Sequence, residues 1–147
     1  MLFGGNFDFA HYKVVHKFLF DEIYEWAGEI RTVNISKKGT FFCPCEQINE
    51  QAGLIFGRLK TMNYFKDLNR DDYITEIADF YGATNELHPF RDGNGRPQRS
   101  FLTMLIRSAG YEINFSEIDG DLLMIATIQS SNGVSDLLRQ IFDELIK

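Results

Sequence analysis

The apolar residues of this chain recur mostly every three or four positions, which is the spacing of amphipathic helices. This pattern predicts six helices, which cover residues 8–27, 47–59, 73–87, 97–109, 117–129 and 134–146. Asp8 and the pair Asp71–Asp72 stand where helix N-termini favour carboxylates. Gly28 and Gly110 stand just after helix ends. We therefore expect an all-α fold whose core is filled by many of the fourteen phenylalanines.

Residues 31–42 depart from this helical pattern. Six side chains that favour strands flank a Lys38-Gly39 turn: Thr32, Val33, Ile35, Thr40, Phe41 and Phe42. The segment predicts a small β-hairpin, which must pack against the helices because an isolated two-stranded hairpin is only marginally stable. The pattern alone leaves two interpretations open. The segment is either a connecting loop or an exposed edge that pairs with an extended segment of a target protein.

Length and charge limit the classes of protein to consider. At 147 residues the chain fits a single domain, 1–147, with a core of ordinary size. The formal net charge of −6 argues against broad affinity for nucleic acid or for an anionic membrane. No apolar run approaches the roughly twenty residues of a membrane span, and no signal-peptide pattern is present. We expect a soluble protein that contacts neither nucleic acid nor membrane directly.

The two cysteines and the first two histidines carry no evident chemistry. Cys43 and Cys45 are separated by one proline, so a disulfide between them would be badly strained, and no zinc-finger spacing surrounds them. Reduced thiols are expected, which fits a cytosolic protein. His11 and His16 stand in the first predicted helix without a companion motif, and we expect surface or packing roles for both.

The strongest chemical signal lies between the third and fourth predicted helices, in His88-Pro89-Phe90-Arg91-Asp92-Gly93-Asn94-Gly95-Arg96-Pro97-Gln98-Arg99. This string forms a short loop that enters a helix N-terminus, where unpaired N–H groups and the helix dipole favour anions. Its two glycines let the backbone approach a ligand closely. Arg96 and Arg99 share one face of the new helix and can hold separate oxygens of one polyphosphate.

Two further side chains of this loop suit phosphate chemistry. Asp92 offers a hard oxygen ligand for Mg²⁺, which is usually bound through one or two carboxylates together with phosphates. His88 carries an imidazole, the side chain whose ordinary pKa suits proton transfer near neutrality. The alternative is a helix–loop–helix whose charges are merely solvated, since short motifs often match by chance.

The string as a whole resembles the signature HPFx(D/E)GNGRxxR of the Fic family. Nine residues fit it: His88, Pro89, Phe90, Asp92, Gly93, Asn94, Gly95, Arg96 and Arg99. The stretch from His16 to Lys37 also resembles the segment upstream of the signature in Fic proteins, so the resemblance spans about residues 11–115. It implies a Fic-type helical bundle with a core at about 8–115, a β-hairpin flap at 31–42 beside the signature loop 88–99, and closing helices at about 117–146.

The resemblance implies an enzyme that transfers AMP from ATP to a tyrosine, threonine or serine hydroxyl of a target protein and releases pyrophosphate. In that mechanism His88 is the general base, Asp92 holds Mg²⁺, and Phe90 anchors the loop in the core. The implied nucleotide-binding residues are Gly93, Asn94, Gly95, Arg96 and Arg99, with Arg96 at the α/β region and Arg99 at the γ-phosphate. The implied target-positioning flap comprises Ile35, Ser36, Lys37, Lys38, Gly39, Thr40 and Phe41.

Other functions stay open at this point. Doc-like kinases, which transfer the terminal phosphate, carry a lysine near the second glycine of the loop. Here Gly95 is intact and no lysine lies in the loop, which favours AMP transfer. Transfer of phosphocholine, or a nucleotide-binding interaction module with little turnover, are further alternatives. A nucleic-acid binder is disfavoured by the net charge.

Regulation is indicated by a missing motif. Many Fic proteins are inhibited by a helix with the pattern S/T-x-x-x-E-G/N, whose glutamate pairs with the second signature arginine, here Arg99. The nearest match, Ser108 to Glu112, is followed by Ile113 and lies at the end of the signature helix. The resemblance thus implies a toxin-like enzyme inhibited by a separate antitoxin, or one whose inhibitory helix was lost with a truncated terminus. Family analogy gives the ATPase subunits of gyrase or topoisomerase IV as targets, in the bacterial cytoplasm or in a cell that receives the protein.

Overall fold

The described residues of the computed structural model, 5–37 and 40–147, contain six α-helices, three short 3-10 helices and one two-stranded antiparallel sheet, joined by turns. The helices are α1 (Phe9–Phe20), α2 (Ile48–Thr61), α3 (Arg70–Leu87), α4 (Gly95–Ser108), α5 (Gly120–Ser131) and α6 (Asp136–Leu145). The strands β1 (Ser36–Lys37) and β2 (Thr40–Phe41) pair Ser36 with Phe41 and Lys37 with Thr40. The predicted all-α architecture with a small hairpin is confirmed. Within the described part of the chain, no helix has the length and apolar character needed to cross a membrane.

The core is built from aromatic rings where α1, α2, α3 and α4 meet. Phe101 of α4 is fully buried there and contacts a ring from each of the other three helices. Its centroid lies 5.3 Å from Tyr12 of α1, 5.7 Å from Phe56 of α2 and 5.9 Å from Phe80 of α3. Because such rings bury large apolar areas, this cluster fixes α4, and with it the loop that precedes α4, against α1 and α3.

The closing helices α5 and α6 cover the remaining side of α3. Phe142 of α6 is fully buried and meets Tyr81 of α3 edge-on, with centroids 5.4 Å apart. Two backbone hydrogen bonds between Glu112 and Lys147, of 2.9 and 2.8 Å, tie the segment after α4 to the residues after α6. The C-terminal helices are therefore part of the same packed unit as the signature loop.

The first helix ends at Phe20, and its predicted continuation to Ala27 is wrong. Residues 21–28 form successive turns instead, in which the N–H of Tyr24 donates to the carbonyl of Phe20 at 2.9 Å. Gly28 has a left-handed backbone (φ +81°), as a residue that ends such a segment should. The turns bring Tyr24 to the signature loop, and helical periodicity cannot anticipate this tertiary contact.

Capping residues shift other helix boundaries from the predicted ones. The helix α3 begins at Arg70 rather than at residue 73, because the side chain of Asn69 accepts a hydrogen bond from the N–H of Asp72. The helix α5 begins at Gly120 rather than at residue 117, because Asp119 caps it in the same way. Smaller shifts of one or two residues occur at the starts of α2, α4 and α6.

The hairpin is shorter than its strand-favouring residues predict. Each strand contains two residues, and Thr32, Val33, Ile35 and Phe42 lie outside the strands. One further backbone hydrogen bond continues the hairpin, from the N–H of Phe42 to the carbonyl of Ile35 at 3.4 Å. Nearer the helices, the stem carbonyls of Val33 and Cys43 accept hydrogen bonds from the Arg31 guanidinium. The predicted turn residues, Lys38 and Gly39, lie outside the described residues.

Candidate active site

The signature loop begins where α3 ends, at His88. The His88 backbone is left-handed (φ 41°, ψ 62°), which turns the chain out of the helix while its N–H still donates to the carbonyl of Thr84 at 3.1 Å. Asn94 then closes the loop on itself. Its side-chain amide accepts from the N–H of Phe90 at 2.9 Å and donates to the Phe90 carbonyl at 2.8 Å. Because both ends of this amide are engaged within the loop, the Asn94 side chain fixes the shape of the loop.

Phe90 carries the middle of the loop into the core. Its fully buried ring stacks on His16 at a centroid distance of 3.8 Å and lies parallel to Tyr12 at 6.0 Å. The buried His16 accepts from the N–H of Gly28 at Nδ1 (2.9 Å), so Nε2 bears the proton and donates to the carbonyl of Asp92 at 3.0 Å. His16 is thus a packing residue, one of the two roles expected for it, and it also connects α1 to the signature loop.

The imidazole of His88 is held as a neutral base. Nδ1 lies 3.1 Å from the carbonyl oxygen of Asn85, which can only accept, so Nδ1 bears the proton and Nε2 is the acceptor. The ring stacks on Phe42, with centroids 3.7 Å apart and planes 10° apart. The stack and the hydrogen bond together fix the direction of Nε2.

Burial keeps this imidazole uncharged at neutral pH. Desolvation lowers the pKa of His88 to about 4, although its hydrogen bond to the Asn85 carbonyl acts in the opposite direction. The positive charges of Arg31 and Lys37 lower the pKa of His88 further, and Asp92 raises it. At pH 7 the geometry therefore presents a proton acceptor.

Asp92 presents an ionised carboxylate beside this base. The Tyr24 hydroxyl donates to Oδ2 of Asp92 at 2.8 Å. This hydrogen bond, followed by one from the N–H of Gly93, holds the pKa of Asp92 below its ordinary value. A carboxylate that stays charged and is fixed in direction by a neighbour suits a metal ligand.

The described residues fit a metal that takes one ligand from the protein. No group of three or more histidine, cysteine, aspartate or glutamate side chains in residues 5–37 and 40–147 could hold an ion alone. Asp92 by itself suits Mg²⁺, which keeps several waters and takes its other ligands from phosphate oxygens. The donor set is therefore compatible with magnesium that arrives with a nucleotide.

The two signature arginines occupy different places. Arg99 lines the cavity, with Nη1 of its guanidinium 2.9 Å from the position that a Cβ would take at Gly95. The Arg96 guanidinium lies over the ring of Phe20, 5.3 Å from its centroid, and does not line the cavity. Of the two arginines predicted to grip phosphates, the structure therefore brings Arg99 to the cavity.

These groups line one cavity of about 750 Å³. The signature loop and the start of α4 form one wall, which contains His88, Arg91, Asp92, Gly93, Asn94, Gly95 and Arg99. The flap forms a second wall, with Ile35, Ser36, Lys37, Thr40 and Phe42. The helix α5 forms a third, with Leu123, Met124, Thr127, Ile128 and Ser131. Phe41 faces away from it and is 83% exposed.

Two side chains that support the site were not predicted from the sequence. Tyr24 donates to Asp92 from the turns after α1. The Arg31 guanidinium donates to the carbonyls of Leu87 and His88. Both lie in the stretch that resembles Fic proteins upstream of the signature, which is the one signal that could have singled them out. Periodicity could not, because neither side chain belongs to an amphipathic face.

The signature loop and the flap lie within a segment that matches a known family. The family model described as Fic/DOC family matches residues 6–106. The chain belongs to the Fic/DOC family. It is similar to the "Probable protein adenylyltransferase y4lH" of Sinorhizobium fredii, at 37% identity over 130 residues that cover 88% of this chain and 68% of that protein. It is also similar to the "Protein adenylyltransferase VbhT" of Bartonella schoenbuchensis, at 38% identity over 135 residues, 92% of this chain but 28% of that protein.

Solved Fic domains share the fold. The BepC protein of Bartonella tribocorum, a VirB-translocated effector with bound AMPPNP, superposes with a TM-score of 0.91 at 28% identity, over 98% of this chain and 76% of that one. The N-terminal Fic domain of a Bartonella quintana effector with bound ADP gives 0.93 at 28% identity, over 99% and 75%. The predicted Fic-type bundle is confirmed, and the names of the curated relatives agree with the predicted enzyme class.

Proposed function

We propose that this chain is a protein adenylyltransferase, which transfers AMP from ATP to a hydroxyl side chain of a target protein and releases pyrophosphate. One observation carries the proposal. His88, whose Nε2 is a hydrogen-bond acceptor, lines a cavity that has the signature loop and the N-terminus of α4 as one wall. A cavity of about 750 Å³ lies within the range of about 300–1,000 Å³ typical of small-molecule sites. Solved Fic domains of the same fold are described with AMPPNP or ADP bound.

The polyphosphate takes the wall formed by the signature loop. The N-terminus of α4 directs its dipole at this wall, and Gly93 and Gly95 allow close approach of backbone N–H groups to phosphate oxygens. Arg99 supplies the positive charge for the γ-phosphate. Arg96 would reach the α/β region only by leaving the ring of Phe20. Asp92 would hold Mg²⁺, which when bound offsets the negative charge of the phosphates.

The nucleoside takes the wall formed by α5. Leu123, Met124 and Ile128 of α5 give this end of the cavity an apolar surface, which suits the flat face of a purine. If the base packs on α5 and the phosphates on α4, the α-phosphate would lie between them, where we expect it to meet His88. This orientation favours transfer of the nucleotidyl group over transfer of the terminal phosphate.

The reaction then needs one proton transfer and one displacement. The target hydroxyl oxygen bonds to the α-phosphorus while the bond from that phosphorus to the bridging oxygen breaks, and pyrophosphate leaves. Nε2 of His88 accepts the hydroxyl proton, and the backbone N–H groups of Asn94 and Gly95 stabilise charge on the five-coordinate phosphorus. Catalysis in this scheme is mainly positioning and electrostatics.

The flap presents the target. The strands β1 and β2 form a short sheet with exposed edges beside His88, and Lys37 and Thr40 line the cavity. An extended target segment can add to such an edge through main-chain hydrogen bonds. Phe41, at 83% exposed, offers an apolar contact next to that edge.

Two labelled forms of ATP test the proposal. The protein is incubated with Mg²⁺ and bacterial lysate, once with α-labelled and once with γ-labelled ATP, beside a His88→Ala variant. Label in protein from the α position alone, absent with His88→Ala, is the expected result. Label from the γ position alone would replace the proposal with a Doc-like kinase. Calorimetric ATP binding without any labelled protein would favour a nucleotide-binding module instead.

The regulation and targets of this enzyme belong to the same proposal. The 147 residues contain no S/T-x-x-x-E-G/N string, and we propose that a separate antitoxin presents such a helix to Arg99. The ATPase subunits of gyrase and topoisomerase IV are the proposed targets, in the cytoplasm of the bacterium or in a cell into which the protein is delivered. Growth arrest on expression of the wild type, but not of His88→Ala, is expected. Equal growth of both strains would contradict a toxin-like role.

A further inference from the structure

The Arg31 guanidinium is buried, and within residues 5–37 and 40–147 it has no carboxylate partner. Its relative exposure is 2%, which is unusual for a side chain that is always charged. Within the described part of the chain, no aspartate or glutamate lies within salt-bridge distance of it. A charge buried in this way is tolerated only if its N–H groups are hydrogen-bonded, and here every partner is a backbone carbonyl.

Those carbonyls belong to two separate structural parts. On one side, Nε donates to the carbonyl of His88 at 2.7 Å, and Nη2 donates to that of Leu87 at 3.3 Å. On the other side, Nη1 donates to the carbonyl of Val33 at 2.8 Å, and Nη2 also donates to that of Cys43. The first pair ends α3 and carries the candidate base. The second pair lies at the two stems of the flap.

The backbone strengthens the same connection. The N–H of Arg31 donates to the carbonyl of Pro89 at 2.9 Å, and the N–H of Cys43 donates to that of Glu86, also at 2.9 Å. The last carbonyls of a helix have no partner within the helix, and a cation there is stabilised by the helix dipole. Arg31 therefore satisfies the end of α3 while its rigid, planar donor group sets the distance from that end to the flap.

We propose that Arg31 is a positioning residue that holds both stems of the flap in register with His88, so that a target hydroxyl presented by the flap meets Nε2 of the imidazole. The inference rests on the proposed function for its catalytic consequence. The structural part of the inference does not rest on the proposed function. The hydrogen bonds from Arg31 to the carbonyls of Leu87, His88, Val33 and Cys43 exist before any substrate binds.

Three variants test this role. Arg31→Met keeps a side chain of similar length and removes every side-chain hydrogen-bond donor. Arg31→Lys keeps the positive charge but lacks the planar set of guanidinium N–H donors. Arg70→Met is the matched control, because Arg70 also donates to carbonyls at a helix end, those of Asp143 and Ile146, far along the chain from the signature. Thermal unfolding first establishes which variants are folded.

The kinetic result should separate positioning from nucleotide binding. Arg31 does not line the cavity, so the dissociation constant for ATP should stay within about twofold of wild type in both Arg31 variants. The transfer rate should fall by about tenfold or more, with a raised KM for the target, because small displacements of reacting groups cost large factors in rate. Arg70→Met should keep wild-type kinetics. If Arg31→Met folds and transfers AMP with wild-type kinetics, the proposal is overturned. If Arg31→Met does not fold, wild-type kinetics in Arg31→Lys overturn it instead.

A second readout does not depend on activity. The charges that act on the His88 imidazole are those of Arg31, Lys37 and Asp92, so removal of the Arg31 charge should raise the titration midpoint of His88 in NMR spectra. Arg31→Lys should restore that midpoint but not the transfer rate. Amide exchange of His88 and Cys43 should accelerate in both Arg31 variants and not in Arg70→Met. An unchanged midpoint with unchanged exchange would overturn the positioning role, whereas failure of wild type to transfer AMP would overturn the proposed function alone.

Discussion

Replacement of Gly93 by alanine should distort the signature loop more than any other single methyl group added to the site. Gly93 has a left-handed backbone (φ +68°), which L-residues other than glycine rarely adopt. A Cβ at this position would lie 2.6 Å from Cε2 and 2.7 Å from Cζ of Phe20. Phe20 is buried, so its ring has little room to move away.

The size of the effect follows from two separate contributions. The left-handed conformation costs a residue with a Cβ about 1–2 kcal/mol. The contact with Phe20 is an overpacking of the core, which costs about 1–3 kcal/mol. Gly93→Ala should therefore lower the free energy of unfolding by about 2–5 kcal/mol, measured by urea denaturation with unchanged slope.

Other glycines of the chain provide the controls. Gly110→Ala introduces only the backbone strain, because Gly110 has φ +91° and no other part of the structure lies within 4 Å of the added Cβ. This variant should lower the free energy of unfolding by about 1–2 kcal/mol. Gly53→Ala, within α2 and also in open space, should stabilise by about 0.5–1 kcal/mol. A Phe20→Leu background removes the two ring atoms and should recover part of the loss. If Gly93→Ala costs no more than Gly110→Ala, the reasoning from close packing is refuted.

Two further predictions concern the base and the core. The pKa of His88 is about 4 in the folded protein and about 6.5 when the chain is unfolded, so protonation of His88 favours unfolding. The stability that the neutral imidazole contributes is fully present above pH 6.5 and is lost as the pH falls towards 4. An NMR midpoint of His88 near 6.5 in the folded protein would contradict this. Phe101→Ala should lower the free energy of unfolding by about 3–5 kcal/mol, because Phe101 is fully buried. Phe41→Ala, at an exposed position, should change it by less than about 0.5 kcal/mol. Similar losses for both variants in thermal and urea unfolding would contradict the assignment of the core.

The sequence was informative where local chemistry determines structure. The signature string predicts a loop that enters a helix N-terminus, and α4 does begin inside it, at Gly95. Six helices were predicted and six occur in the described residues, because amphipathic spacing reports which face is buried. The nucleotide and metal roles assigned to Asp92, Arg96 and Arg99 stay predictions, since each depends on a bound ligand.

Contacts between distant parts of the chain could not be predicted. The end of α1 at Phe20 depends on turns that carry Tyr24 to Asp92, a contact that leaves no local periodicity. The burial of Arg31 depends on four carbonyls from the flap and α3, and backbone acceptors have no sequence signature. The hydrogen bond from His16 to the signature loop was missed for the same reason, and the histidine was expected only to pack or to face solvent.

The supports of the signature loop are separated along the chain, and this has a consequence for biosynthesis. His16 and Asp92 are 76 positions apart, Tyr24 and Asp92 are 68 apart, and Arg31 and His88 are 57 apart. Contacts of such separation form late, because closing a long loop costs entropy that is repaid only when the whole core assembles. A ribosome-bound chain that has just exposed the complete signature still lacks α5 and α6, so the core that holds the loop is incomplete. A fragment that contains the signature but not residues 16–31 lacks the supports themselves. The signature is therefore a working loop only as part of the complete fold.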